Sequence, residues 1–348
     1  MTITEAQTPS SPPAPPGNYQ PVDGLLLDVQ DLYVEFHTLD GVAKAINGVS
    51  MTLHEGETLA IIGESGSGKS VTAQAIMGIL DAPVAQIPYG TIAYCGVDLL
   101  TLPEEARRKT RGPEISMIFQ DALSALNPTF PVGWQIAEMF RVHRRLGRSA
   151  AYEEAVRLME LVQIPAARQR AKAYPHQFSG GMRQRIMIAM AIALDPKVLI
   201  ADEPTTALDV TVQAQIMDLL KEIQHERQMG LILITHDLGV VADVADRIGV
   251  MYAGRLVEKA DVHDVYAKPA HAYTKGLLDS IPRLDQKGRN LAAIGGLPPN
   301  LMRIPPGCAF NPRCVFATDM CREHVPVLRE VRPGRLAACH HSEEVLNA

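Results

Sequence analysis

The chain has 348 residues, 47% hydrophobic and 21% charged, so it can bury a full core as one large domain or two ordinary ones. A net charge of −6, with lysines and arginines dispersed rather than gathered into a run, argues against nucleic acid as a partner. No apolar run approaches the roughly 20 residues of a membrane span and the N-terminus lacks a basic-then-apolar leader, so the expected compartment is the cytosol, with docking on a membrane protein left open.

In chain order, residues 1–24, MTITEAQTPSSPPAPPGNYQPVDG, are rich in Pro, Ser and Thr with almost nothing to bury, which predicts a disordered or extended tail. From LLLDVQDLYVEF onward, short apolar runs alternate with helical patterns. ETLAIIG reads as a strand, SVTAQAIMGIL as a helix, KVLIAD as a strand, AQIMDLLKEIQHE as a helix and LILITH as a strand. That alternation predicts an α/β fold with a largely parallel sheet covered on both faces. Near VYAKPAHAYTKG the pattern weakens and proline-rich connections take over, which sets an expected boundary near residue 265.

The chemistry concentrates at two strand ends. GESGSGKS, Gly63 to Ser70, fits G-x-x-x-x-G-K-[ST] between a strand and a helix, the context in which backbone amides wrap a phosphate at a helix N-terminus. Glycines Gly63, Gly66 and Gly68 allow tight turns, Glu64, Ser65, Ser67 and Val71 complete the loop and the helix start, Lys69 brings a cation to the β and γ phosphates, and Ser70 offers a hydroxyl to Mg²⁺. The second strand end is VLIADEP, where Asp202 would hold the Mg²⁺ shell and Glu203 would orient the attacking water. Ser179 in FSGGMRQR can cap a helix whose glycines leave its first amides open to an anion.

These motifs, with Gln120 in SMIFQD, the ALD at 207–209 and His236 in LILITHD, resemble the ATP-binding cassette (ABC) ATPases, whose signature matches Ser179, Gly180, Gly181 and Met182. Phe178 and Met182 depart from the usual signature, which has Leu first and Gln last. The resemblance implies a P-loop NTPase fold with a RecA-like core over 25–265, an antiparallel β subdomain and a helical subdomain at about 121–185. It implies an ATPase in which Gln120 senses nucleotide and metal and His236 contacts the γ phosphate beside Glu203. It also implies that Phe36, or His37 in second place, stacks on adenine, and that Ser179, Gly180 and Gly181 close over ATP held by a second subunit.

QDALSALNPTFPVGWQI, YPHQFSGGMRQR, AHAYTKGLLDSIPRL and GGLPPNLMRIPPGCAFNPRC are similar to the D-type ATPases of the peptide and nickel class of ABC importers. That likeness implies an F-type ATPase partner, two permease subunits, an extracellular binding protein and a place on the cytoplasmic membrane face. The segment with Trp134 and Phe140 would meet the permease. A motor for nickel or another small solute, or a soluble ABC ATPase outside transport, are the alternatives.

Within the extension at 266–348, Cys308, Cys314, Cys321 and Cys339 are spaced C-x5-C-x6-C-x17-C, while Cys95 stands apart. Four thiolates suit tetrahedral Zn²⁺ or an iron–sulfur cluster, and a reducing cytosol disfavours disulfides. The resemblance points to a [4Fe–4S] cluster; zinc, with His340 and His341 available, and unligated thiols are the other readings.

Overall fold

The structure is a computed structural model that describes residues 23–206, 208–280 and 294–348. The expected tail, apart from its last two residues, lies outside the described residues, as do Ala207 and the end of the AHAYTKGLLDSIPRL segment.

Two sheets organise the described residues. An eight-stranded sheet has five parallel strands side by side, in the order Arg247–Tyr252, Thr58–Ile62, Gly230–Ile234, Val198–Asp202 and Ile115–Ile118. Four of them, Thr58–Ile62, Gly230–Ile234, Val198–Asp202 and Ile115–Ile118, are buried along their whole length, as expected for parallel strands covered on both faces. Because strand side chains alternate, one strand serves two cores: Leu199 and Ala201 join the helical cluster, and Val198 and Ile200 join the cluster under the second sheet. That second sheet is antiparallel, with Leu25–Thr38 paired to both Gly41–His54 and Thr91–Tyr94.

Helices Val132–His143, Arg148–Leu161 and Gly180–Ala191 pack through Ile136, Phe140, Ala155, Met159 and Ile186. Periodic apolar residues of this kind fold into helices because each stripe finds another to bury against. The C-terminal region continues the large sheet. Strand Arg335–Ala337 pairs antiparallel with Arg255–Asp261, and Arg329–Arg332 pairs with it in turn. An ion pair locks the junction: Arg335 Nη2 donates to Glu258 Oε1 at 2.8 Å, and the amides of Ala270 and His271 donate to the same carboxylate. A buried carboxylate is tolerated there because its lone pairs are satisfied.

Among the described residues no helix is long and apolar enough to cross a membrane.

Candidate active site

The parallel strands deliver the site by ending together. Strand Thr58–Ile62 runs into the loop 63–68, which opens helix Lys69–Met77. At Gly63 φ is +150°, and a Cβ would stand 2.2 Å from the Met251 carbonyl oxygen; at Gly68 φ is +107°, and a Cβ would stand 2.7 Å from the Ala45 carbonyl oxygen. Both the backbone conformation and the close approach therefore require glycine.

Lys69 is only 5% exposed, and its ammonium donates to the carbonyls of Gly63 at 2.7 Å and Glu64 at 3.1 Å. Burial lowers its pKa, while the charges of Glu203, Asp202 and Glu64 pull the other way. Ser67 Oγ is buried with no hydrogen-bond partner among the described residues. A buried hydroxyl at the rim of a glycine loop is the kind of unmet group that a phosphate oxygen satisfies, so the loop fits a nucleotide phosphate.

Strand Val198–Asp202 places the two acids differently although they are neighbours. Asp202, on the strand, is buried and accepts a hydrogen bond from Ser70 Oγ at 3.0 Å. Burial raises its pKa, and the Ser70 bond opposes that rise. This hydroxyl and carboxylate form a hard oxygen pair suited to Mg²⁺.

Glu203 has φ of +47°, a left-handed conformation that a non-glycine residue adopts at some cost, and its amide donates to the Ile234 carbonyl at 2.8 Å. The turn swings its carboxylate off the strand line. Oε2 accepts from Gln120 Nε2 at 2.9 Å and Thr206 Oγ1 at 2.8 Å, and Oε1 stands 3.4 Å from His236 Nδ1. The His236 side chain is 65% exposed and that of Glu203 16%, so the carboxylate sits in a half-sheltered corner with the imidazole at its open side.

Gln120, Glu203 and His236, expected from strand ends 83 and 33 positions apart, thus meet at one carboxylate, and Thr206 joins them without having been singled out in the sequence. The other expected residues stand elsewhere. Ser179 caps helix Gly180–Ala191, its Oγ accepting from the Met182 amide at 3.4 Å, and this helix start packs beside Leu208 and Val212. Asp209 caps helix Val210–Arg227 by accepting from the Val212 amide at 3.0 Å. Phe36 is half-buried against the core beneath the antiparallel sheet, and His37 is exposed.

The expected [4Fe–4S] cluster, with its zinc alternative, is corrected by the structure. Among the described residues no three His, Cys, Asp or Glu side chains form a group that could hold a metal ion. Cys308, Cys314, Cys321 and Cys339 are free thiols. Cys308, Cys314 and Cys339 pack in the apolar cluster of Tyr252, Tyr273, Phe310 and Val345. Burial pushes the Cys308 and Cys314 thiols up to about 11, which keeps them protonated at neutral pH. The thiols thus behave as small apolar side chains. His340 and His341 are engaged elsewhere, with His340 Nε2 at the His324 carbonyl and His341 between Thr318 Oγ1 and Glu344.

The model of the ABC transporter family matches residues 46–206, and the oligopeptide/dipeptide transporter, C-terminal region, matches residues 257–321. The chain is 49% identical over 346 residues to the oligopeptide transport ATP-binding protein OppD of Salmonella typhimurium, covering 99% of this chain and 100% of that one. It is 52% identical over 301 residues to the dipeptide transport ATP-binding protein DppD of Bacillus subtilis, covering 86% and 90%. Among solved structures, a dimeric bacterial ABC transporter cassette is similar at a TM-score of 0.62 and 25% identity, covering 68% of this chain and 99% of that one. With half its residues shared along nearly the full length of such relatives, the chain belongs to the ATP-binding proteins of the ABC transporter family.

Proposed function

We propose that this chain is the ATP-hydrolysing subunit of an importer of dipeptides or oligopeptides. The observation that carries the reading is the convergence of the phosphate loop with Ser70, Asp202 and a Glu203 carboxylate held by Gln120 and Thr206. The backbone amides of 63–70 would cradle the phosphates at the start of helix Lys69–Met77, with Val71 in its first turn, and Lys69 would exchange its carbonyl partners for phosphate oxygens. Ser70, Asp202 and Gln120 would hold Mg²⁺, which when bound neutralises phosphate charge. Glu203 would orient water through Oε1, the oxygen not occupied by Gln120 and Thr206, and His236 at its open side would contact the γ phosphate. Positioning and electrostatic stabilisation do the catalysis, so the sheltered corner around Glu203 matters more than any covalent chemistry.

Ser179, Gly180 and Gly181 would complete the site of a second ATPase subunit of the F type, and Phe36 would present its open edge to adenine. Two permease subunits would dock on the helical lobe, where Trp134, Arg141, Tyr152 and Lys172 line an open cavity of about 620 Å³. Such an assembly would seat the chain on the cytoplasmic membrane face, with peptide arriving from an extracellular binding protein.

The test is reconstitution of the chain with its permease and partner ATPase in liposomes. ATP-driven accumulation of labelled peptide supports the reading, hydrolysis without peptide uptake would remove the substrate assignment, and no hydrolysis would remove the site.

A further inference from the structure

The phosphate loop is held from the far end of the chain. Arg313 forms a two-pronged ion pair with Glu64, Nη1 to Oε2 at 2.6 Å and Nη2 to Oε1 at 2.8 Å, with the arginine side chain only 5% exposed. The same guanidinium donates to the Gly295 carbonyl at 2.9 Å and to Tyr252 OH at 3.3 Å, and it lies 5.8 Å from the ring centres of Tyr252 and Phe310. The Glu64 amide in turn donates to Tyr273 OH at 2.8 Å. Pro298, Pro299 and Leu301 line a narrow cleft with Glu64, Ser65, Gly66 and Ser67, and the Leu301 carbonyl accepts from the Lys44 amide at 3.1 Å.

From this geometry we infer that Arg313 is a positioning residue for the nucleotide site, neutralising Glu64 and strapping the phosphate loop in its binding shape. Glu64 is the one carboxylate within the loop itself, and its charge acts on Lys69. Left bare, it would compete with phosphate for Lys69 and repel the incoming nucleotide. Paired in a fork on Arg313, its charge is cancelled and its backbone is held, while the loop's glycines supply no side chains to hold themselves. A loop already in its bound shape loses less freedom on binding, which raises affinity.

This inference rests on the proposed ATP site, and the experiment separates the two. MgATP is titrated into the full-length chain by calorimetry, and amide exchange is followed at residues 63–68. Arg313→Gln should weaken MgATP binding about tenfold, within the roughly 5- to 150-fold range by which one site changes the affinity of another. Adding Glu64→Gln should recover most of that loss, because the bare carboxylate is gone. In the assembled transporter, the loss should fall on KM rather than kcat. Arg313→Lys, a gentler change that keeps the charge without the fork, should lie between the native chain and Arg313→Gln. The loop amides should exchange faster in Arg313→Gln. Unchanged affinity, a double variant no tighter than the single one, or unchanged exchange overturns the inference. If the native chain binds no MgATP, the proposed function falls, and the exchange rates still decide whether Arg313 straps the loop.

Discussion

Around the phosphate loop, polar groups are buried and left with unfinished business: Ser67 Oγ has no partner among the described residues, Lys69 is sheltered on two carbonyls, and Glu203 is bent into a left-handed turn. At the cysteines, most of a comparable set of chemically capable side chains has been absorbed into apolar packing: Cys308, Cys314 and Cys339 join the cluster of Tyr252 and Phe310, while Cys321 is buried beside the Thr318 hydroxyl. The contrast teaches that residue types and spacing nominate a site, whereas strain, unmet hydrogen bonds and convergence make one. A run of thiols meets the first condition here and fails the second.

The sharpest way to break the comparison is at Glu203. Glu203→Gln keeps the hydrogen bonds of a planar side chain but removes the charge that orients water, and turnover in the assembled complex should fall roughly 10²- to 10⁴-fold while MgATP still binds. Normal hydrolysis by that variant would move the catalytic carboxylate elsewhere.

On the cysteine side, the next effect in size comes from His271, which is fully buried among the same residues and held neutral with its pKa lowered to about 4 by burial. Its Nδ1 accepts from the Tyr273 amide at 3.0 Å, a bond that protonation would break. The unfolded chain takes up this proton near the usual 6.5, so the contribution is fully present above that pH and lost as pH falls towards about 4. The loss amounts to roughly 3 kcal/mol at the acid end. Urea midpoints of the native chain and His271→Gln between pH 7 and pH 4 measure it, and parallel curves would contradict it.

A smaller change tests whether the thiols act as apolar packing. Cys339→Ser places a hydroxyl in the cluster around Tyr252 and Phe310 and should cost about 1–3 kcal/mol of stability. A variant as stable as the native chain by denaturant titration would show that this cluster is wetter than its burial implies.

The smallest effect is expected back at the active site and has the opposite sign. Burial raises the Asp202 pKa above its usual 3.8, so in the nucleotide-free chain its ionised form is unfavourable and the associated stability is lost as pH rises through the folded value. Asp202→Asn should therefore raise the thermal midpoint at neutral pH by on the order of 2 °C, while weakening the Mg²⁺-dependent part of nucleotide binding. A lowered midpoint would mean that the carboxylate is structural rather than held ready for a cation.

Much of this protein was legible in its sequence, because parallel strands and glycine loops depend on local pattern. The strand at Thr58–Ile62, the helix opening at Lys69, the strand at Val198–Asp202 and the strand at Gly230–Ile234 all lie where apolar runs and turn residues put them. The phosphate loop could be read for the same reason: its conformation needs glycine at fixed positions, and that need shows in the letters. What required the tertiary structure were the decisions made between distant segments. No local signal reports that Arg313 pairs with Glu64 across 249 positions, that Thr206 shares the Glu203 carboxylate with Gln120, or that Arg335–Ala337 extends the sheet through Arg255–Asp261. The cysteine spacing misled because it records only how far apart thiols lie along the chain. Whether they face a common centre or an apolar core is set by packing, and here the packing turned three of them into the core formed with Tyr252, Tyr273 and Phe310.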